Sequence, residues 1–374
     1  MPFIERECLL TEFVDHVSKR TDPAAALLAT QIEKDVPIYE ATAIRSKLSD
    51  PAYRQKVKEE LAFVLQSGAG VFVIKNAFPD PTLIDDATEV FNTIIAAEHD
   101  KIGGGDHFAN AGANDRVWNA LEKLCLRAPE VFARYYANDM IALASEAWLG
   151  PAYQITSQIN VVRPGGQAQQ PHCDYHLGFQ TAERASQYPA HVHQLSACLT
   201  LQGAIAHCDM PLESGPTKLL PFSQTYPAGY VAWRREDFKD YFEKHHIQLP
   251  LEKGDAIFFN PALFHAAGTN ITHDISRTAN LLQVSSAFGR AMEIVDRPKM
   301  SQTLLPVLQE FLKSGQMNMS AISNVIAASA EGYPFPVNLD IVPPADGLAP
   351  KSQQDLMLDA LSNYQTLDQD SLSL

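Results

Sequence analysis

Cysteine is scarce in this chain of 374 residues: Cys8, Cys125, Cys173, Cys198 and Cys208 are odd in number, and no two form a Cys-x-x-Cys pair. A disulfide framework is therefore not expected, and a reducing, cytoplasmic setting fits better. Positive charge is also short. Lys and Arg number 29 against 44 Asp and Glu, for a formal net charge of −15. Nonspecific binding to nucleic acid or to an anionic membrane needs a basic face, so neither is expected as a partner. The same balance offers no global attraction for polyanionic substrates, which would need a local basic pocket. No stretch approaches the roughly 20 apolar residues that span a bilayer. The opening segment Met1–Cys8 has no basic region followed by an apolar run, so no signal peptide is expected. Internal repeats and linker-like composition are missing too, which favours reading residues 1–374 as a single domain.

What is present is an ordinary globular composition, 46% hydrophobic and 9% aromatic, enough to bury a sizeable core. Residues 1–67 read as a mostly helical N-terminal extension, with helical spacing in Leu10–Val17 and Tyr53–Leu65. Ser67-Gly68-Ala69-Gly70 breaks that pattern ahead of a compact strand, Val71–Lys75. Helices are expected at 82–98, 115–126 and 129–147, and Gly103-Gly104-Gly105-Asp106-His107 reads as a loop, either a lid over a pocket or a surface connection. From Tyr153 the texture changes. Strand-like runs at 153–163, 169–176, 192–206, 216–221, 245–250, 255–260 and 277–289 are separated by Gly, Pro and Asn. Many short strands with turn signals between them predict a jelly-roll sandwich or barrel. Residues 291–374 form a helical tail (301–313, 319–329 and a last helix near 352–364), interrupted by Tyr333-Pro334-Phe335-Pro336 and Pro343-Pro344. The expected fold class is mainly β with flanking helices.

Within that β region, Gln170-Pro171-His172-Cys173-Asp174-Tyr175-His176 carries a His-x-Asp pair, and on a strand residues two apart point to the same face. His265 follows the apolar run Ala256–Phe259 and can complete a set of two imidazoles and one carboxylate from a facing strand. That set suits Fe(II), leaving open positions for cosubstrate, substrate and O2. Arg277 stands 12 residues beyond His265, a spacing that allows a turn and a return on the adjacent antiparallel strand. Its guanidinium can grip a carboxylate through two parallel hydrogen bonds, and the distal carboxylate of 2-oxoglutarate is the one assigned to it. A second copy, His207-Cys208-Asp209, runs straight into Met210-Pro211 as though leaving a sheet for a loop, so the first copy is preferred as the metal pair. Cys173, between the two ligands, is expected to point away from them. His176 is expected to border the substrate pocket without binding metal.

Together these residues resemble the phytanoyl-CoA dioxygenase family of Fe(II)- and 2-oxoglutarate-dependent oxygenases. The likeness runs through Gln170–Asp174, then Asp209…Glu213-Ser-Gly215-Pro-Thr217…Pro221-Phe-Ser223-Gln224, then Gly254-Asp255…His265-Ala-Ala-Gly268-Thr-Asn270 and Arg277. With Gly70–Ile74 upstream it covers roughly residues 60–290. It implies a double-stranded β-helix core and a dioxygenase that uses iron, 2-oxoglutarate and O2, releasing succinate and CO2 as it oxidises, most simply hydroxylates, a small organic molecule. It implies further that His172, Asp174 and His265 hold the metal, and that Asn160, Gln170 and Thr217 join Arg277 around the cosubstrate. Two positions depart from the pattern: Pro-Phe-Ser-Gln at 221–224 replaces Pro-Gly-Ser-His, and Ala267 stands where a small hydroxyl residue is often found. The second departure removes one candidate hydrogen bond and leaves Arg277 more of the work. The terminal extensions are read as shaping substrate access or a homodimer interface, or as plain scaffold. Two rivals remain, a non-redox cupin-type metalloenzyme and a catalytically silent binding protein of the same fold.

Overall fold

The computed structural model describes residues 2–102, 114–334, 338, 340, 341, 344 and 349–371. Among these, ten strands occur: β1 (Gln31–Glu33), β2 (Val36–Glu40), β3 (Val71–Lys75), β4 (Asn114–Val117), β5 (Gln154–Val162), β6 (Thr200–Ala206), β7 (Lys218–Leu219), β8 (Ala256–Phe259), β9 (His265–Ala266) and β10 (Arg277–Ser285). Eight of them build one mixed sheet in the order β1-β2-β3-β8-β6-β10-β5-β4, while β7 and β9 form a separate ladder. Within the large sheet only β2 and β3 run parallel. The architecture is thus a large mixed sheet with flanking helices. Its facing layer is slight: the β7–β9 pair, extended by the isolated bridges His172–His265, Met210–Leu251 and Leu219–Ile247.

Side chains alternate across the large sheet with the period of two that extended backbone imposes. Phe72, Ile74, Leu201, Ile205, Phe258, Ala256, Leu282, Val284, Ile155 and Ile159 face the main hydrophobic cluster, where helices 51–66, 120–127, 129–136, 139–149, 297–313 and 319–329 cover them. The opposite face carries Val71, Val73, Ala204, Ala206, Ile257 and Phe259 and meets the slight layer through Met210, Leu219, Leu251 and Leu263. At its β10–β5–β4 end that face turns polar, with Gln283, Gln158, Asn160 and Arg116 exposed to a cavity. One sheet therefore separates a sealed core from a site.

Several expectations need correction. The segment 1–67 is not only helical, because β1 and β2 lie in it and extend the sheet. Their connection turns through Lys34 and Asp35 at φ 49° and 70°, a left-handed pair that would ordinarily be signalled by Asn or Gly. The helix expected over 115–126 begins only at Ala120, after β4. The one expected over 129–147 is two, Pro129–Tyr136 and Asp139–Leu149, divided where Asn138 Oδ1 accepts from the Met140 and Ile141 amides and caps the second. Residues 192–206 split into helix Ala190–Cys198 and β6, and 245–250 contributes a single bridge in place of a strand. Gly103–His107, with Phe335, Pro336 and Pro343, lies outside the described residues. All five cysteines are free. Among the described residues no helix is long and apolar enough to cross a membrane.

Candidate metal and cosubstrate site

Residues 169–176 do not form the expected strand. Pro171 has no amide hydrogen to give a ladder, and the segment's own amides make three cross-strand bonds: Gln169 N to Ala267 O at 3.0 Å, His172 N to His265 O at 2.9 Å and Asp174 N to Pro261 O at 2.9 Å. His265 N returns a bond to His172 O at 3.1 Å, which clamps the two histidines side by side. His172, Asp174 and His265 bring one ligand atom each within 4.8 Å of one another. Asp174 Oδ2 lies 3.3 Å from His265 Nε2, and Oδ1 lies 3.7 Å from His172 Nε2.

Each imidazole is oriented by its own backbone. His172 Nδ1 donates to the Gln170 carbonyl at 2.9 Å, and His265 Nδ1 donates to the Leu263 carbonyl at 2.8 Å. Those bonds fix the tautomers and leave both Nε2 lone pairs turned to the shared centre, the usual way a metal-binding histidine is held. Gln202, on β6, donates through Nε2 to Asp174 Oδ2. Burial pulls the His172 imidazole below its ordinary value, opposed by the Asp174 charge. Burial alone would raise the Asp174 carboxyl, but the neighbouring imidazoles and the Gln202 amide hold it well below the carboxylate range. A carboxylate oxygen beside two pre-aimed imidazole nitrogens fits a divalent cation such as Fe(II).

The triad opens on a cavity of about 860 Å³. Arg277, the first residue of β10, stands at one end of it, 6% exposed. Its Nη1 donates to the Ser214 and Gly268 carbonyls at 2.9 and 3.3 Å, and no carboxylate pairs with it among the described residues. Burial draws its pKa down to about 10, so the guanidinium stays charged at neutral pH while lacking a counter-charge. Between Arg277 and the triad the floor is Ala204, Ala206, Ala279 and Leu281, small or apolar side chains that leave a slot. Asn160, the cross-strand neighbour of Ala279, lines the same cavity with a buried Oδ1 that has no partner. Gln170 and Thr217 line it as well, Gln170 exposed at its edge. Metal triad, buried cation and slot together match a molecule that has a chelating end and a carboxylate end.

Elsewhere the structure separates what the sequence left together. His207 sits in the main core, with Nδ1 2.8 Å from Thr88 Oγ1 and Nε2 2.9 Å from the Tyr135 hydroxyl. Burial draws its pKa down to about 3. Cys173 is buried, its thiol donating to the Ala262 carbonyl at 3.3 Å. His176 corrects a further expectation: it opens the short turn His176–Phe179 at φ 43° and is not among the residues lining the cavity. The residue beside it, Tyr175, takes φ 62° and ψ 151°, a conformation that costs a non-glycine residue about 1–3 kcal/mol. That turn also needs Gly178, where a Cβ would lie 2.3 Å from the Cys173 carbonyl oxygen. Sequence reasoning missed Gln202, Tyr175 and Arg116. Only the alternation Gln202-Gly-Ala204-Ile-Ala206 hinted that Gln202 shares a face with the cosubstrate slot.

Comparison with known proteins adds the following. The family model for phytanoyl-CoA dioxygenase matches residues 42–279. No curated protein matches the sequence. Similar solved structures include the non-heme α-ketoglutarate-dependent epimerase SnoN from nogalamycin biosynthesis, 17% identical over 64% of this chain and 82% of that one, with a TM-score of 0.43. The carbocyclase SnoK of the same biosynthesis is 17% identical over 65% and 88%, TM-score 0.44. HygX from Streptomyces hygroscopicus, solved with nickel, 2-oxoglutarate and hygromycin B, is 15% identical over 61% and 87%, TM-score 0.43. Likenesses this distant carry no argument about substrate or reaction.

Proposed function

The chain belongs to the phytanoyl-CoA dioxygenase family, and from that premise we propose that it is an Fe(II)- and 2-oxoglutarate-dependent dioxygenase that hydroxylates a small organic substrate. The observation that carries the reading is the pairing of two features across one cavity: the convergent His172, Asp174 and His265 donors, and the buried Arg277 without a counter-charge. His172, Asp174 and His265 would hold the iron, and Arg277 would hold the distal carboxylate of 2-oxoglutarate. When bound, iron and 2-oxoglutarate supply O2 activation through oxidative decarboxylation of the cosubstrate to succinate and CO2.

The protein's share is positioning, charge and dryness. The backbone bonds to both Nδ1 atoms fix the ring orientations and aim both Nε2 atoms, so the ligand set need not reorganise on binding. Arg277 sits in a poorly solvated place, where a bidentate carboxylate recovers what its burial has cost. Asn160 is placed to bond the cosubstrate from the β5 side. Phe259, packed 4.8 Å from the His265 ring, and Leu251 wall the centre from water. A carboxylate at position 174 fills the third protein ligand position, which favours oxygen transfer over delivery of a bound halide. The β architecture is read as a double-stranded β-helix whose second sheet is reduced to the β7–β9 ladder.

The test is anaerobic reconstitution with Fe(II) followed by turnover. One iron per chain and O2-dependent conversion of 2-oxoglutarate to succinate, with products of a substrate panel gaining one oxygen by mass, are expected. Iron bound without succinate would favour the non-redox metalloenzyme, and no iron at all would favour the silent binding protein.

A further inference from the structure

Beside the metal triad the cavity holds buried polar atoms that neither the metal nor the cosubstrate slot accounts for, among them one on Gln202 and one on Tyr175. Gln202 is 8% exposed, and its Nε2 is committed to Asp174. Because an ionised carboxylate only accepts, the amide cannot be turned round, so Oε1 is left as a fixed acceptor. That oxygen is buried and has no partner. Tyr175 is 1% exposed, and its hydroxyl is likewise buried with no partner. The two side chains are close neighbours, but neither the hydroxyl nor Oε1 has a partner at ordinary hydrogen-bond distance. Both line the cavity. Buried polar groups are almost always paired, so an orphaned acceptor next to an orphaned hydroxyl marks the place of a missing partner. Phe179, Trp233 and Met292 line the same cavity, the Trp233 indole with a buried Nε1 that has no partner, and Phe179 lies edge-on to the Tyr175 ring at 5.7 Å.

The chemistry of that partner follows from its donors and acceptors. Gln202 Oε1 requires a donor, which a carboxylate, phosphate, ether or ketone does not have. A hydroxyl both donates to Gln202 and accepts from Tyr175. We propose that the primary substrate is a neutral alcohol whose hydroxyl is held between Gln202 and Tyr175, beside the metal ligand Asp174, with its carbon skeleton against Phe179, Trp233 and Met292. This rests on the oxygenase reading of the site and adds the substrate class to it. The strained turn at Tyr175 gains a purpose, since it aims the phenol at the centre directly after a ligand. Gln202 has two roles, positioning Asp174 with one end and selecting substrate with the other.

The experiment keeps the two claims apart. The protein is loaded anaerobically with Fe(II) and 2-oxoglutarate, and formation of the visible metal-to-ligand charge-transfer band tests the oxygenase reading before any substrate is added. Absence of that band refutes the oxygenase reading itself. With the band present, 2-phenylethanol, its methyl ether, phenylacetate and 2-phenylethylamine are titrated, and perturbation of the band gives each affinity. The alcohol is expected to bind at least about tenfold tighter than the ether or the acid, the usual penalty for leaving a buried acceptor unpaired. Tyr175→Phe should reduce the preference for alcohol over ether severalfold, and Gln202→Leu should abolish it. An ether that binds within twofold of the alcohol overturns the proposal, because water then serves the pair equally well. So does an amine that binds tighter than the alcohol, which would make the site one for ammonium. A Tyr175→Phe variant that weakens 2-oxoglutarate and leaves the alcohol preference untouched also overturns it, since the phenol would then serve the cosubstrate.

Discussion

Replacing Arg277 by Met tests the cosubstrate assignment most directly. The guanidinium is 6% exposed, and Nη1 alone is engaged, by the Ser214 and Gly268 carbonyls. A carboxylate arriving from the slot would take two charge-assisted bonds, each worth about 1.5–3 kcal/mol. Methionine keeps the length and removes both, a loss of about 3–6 kcal/mol in binding. At about 1.4 kcal/mol per decade, 2-oxoglutarate should bind roughly 10² to 10⁴-fold more weakly. Arg277→Lys keeps the charge without the fork and should fall between. The assay is anaerobic titration of the Fe(II)-loaded protein with 2-oxoglutarate. Repeating it with 2-oxobutanoate, which keeps the chelating end and lacks the distal carboxylate, completes a double-mutant cycle. Wild type and Arg277→Met should bind 2-oxobutanoate about equally. A folded, iron-loaded Arg277→Met protein that binds 2-oxoglutarate within threefold of wild type would refute the assignment, and so would equal losses for the two ligands.

Asp174→Ala should abolish 2-oxoglutarate-dependent turnover; retained oxidation of the native substrate would sink the triad. Gln202→Leu should weaken iron binding by about 10–100-fold, the usual effect of removing a group that orients a ligand, as measured by chelator competition. His207→Leu should leave one iron per chain intact while costing about 1–3 kcal/mol of stability in denaturant unfolding, because Tyr135 and Thr88 lose their buried partner. In the wild type the same histidine makes stability depend on pH. Its folded pKa of about 3 lies below the unfolded value of 6.5, so its contribution is complete above pH 6.5 and is lost as pH falls toward 3, by up to about 1.4 kcal/mol per unit. The Leu variant should flatten that part of the profile, and an unchanged slope would exclude His207 as the cause.

Legibility in the sequence followed the range of the physics. Runs with strong local signals, such as Val71–Lys75, Gln154–Val162 and Ala256–Phe259, fell within the strands expected from alternation and turn residues. What escaped depended on contacts distant in the chain. β2 is a strand because it lies against β3, with Ile38 opposite Val73; its five residues Val-Pro-Ile-Tyr-Glu are too short a run to show alternation on their own. Residues 169–176 were expected as strand for their alternation, yet Pro171 and an irregular partner leave only a few isolated bonds. Helix Ala190–Cys198 looked extended because Val192 and its neighbours also suit a strand, and only its covering position over β6 settles the matter.

The site repeats that division at the scale of three residues. His-Cys-Asp occurs twice, at 172–174 and 207–209, and composition cannot tell the copies apart. What separates them is the backbone each inherits. His172 is bonded edge to edge with His265, so its Nδ1 finds its own chain and its Nε2 finds a second imidazole. His207 follows β6 into the covered face, where Thr88 and Tyr135 use both of its nitrogens and leave none for a metal. Asp174 meets Gln202, whereas Asp209 accepts from the Lys253 amide at the surface. The same tripeptide is thus a ligand set in one place and a core hydrogen-bond hub in the other, because a histidine can serve a metal only with the nitrogen its neighbours have not taken. Of the downstream residues only His265 marked the difference in advance, since it pairs with His172. Arg277 did not, because it reaches the cavity from β10 in the large sheet and not from a strand adjacent to β9, and the second copy lies beside residues 276–278.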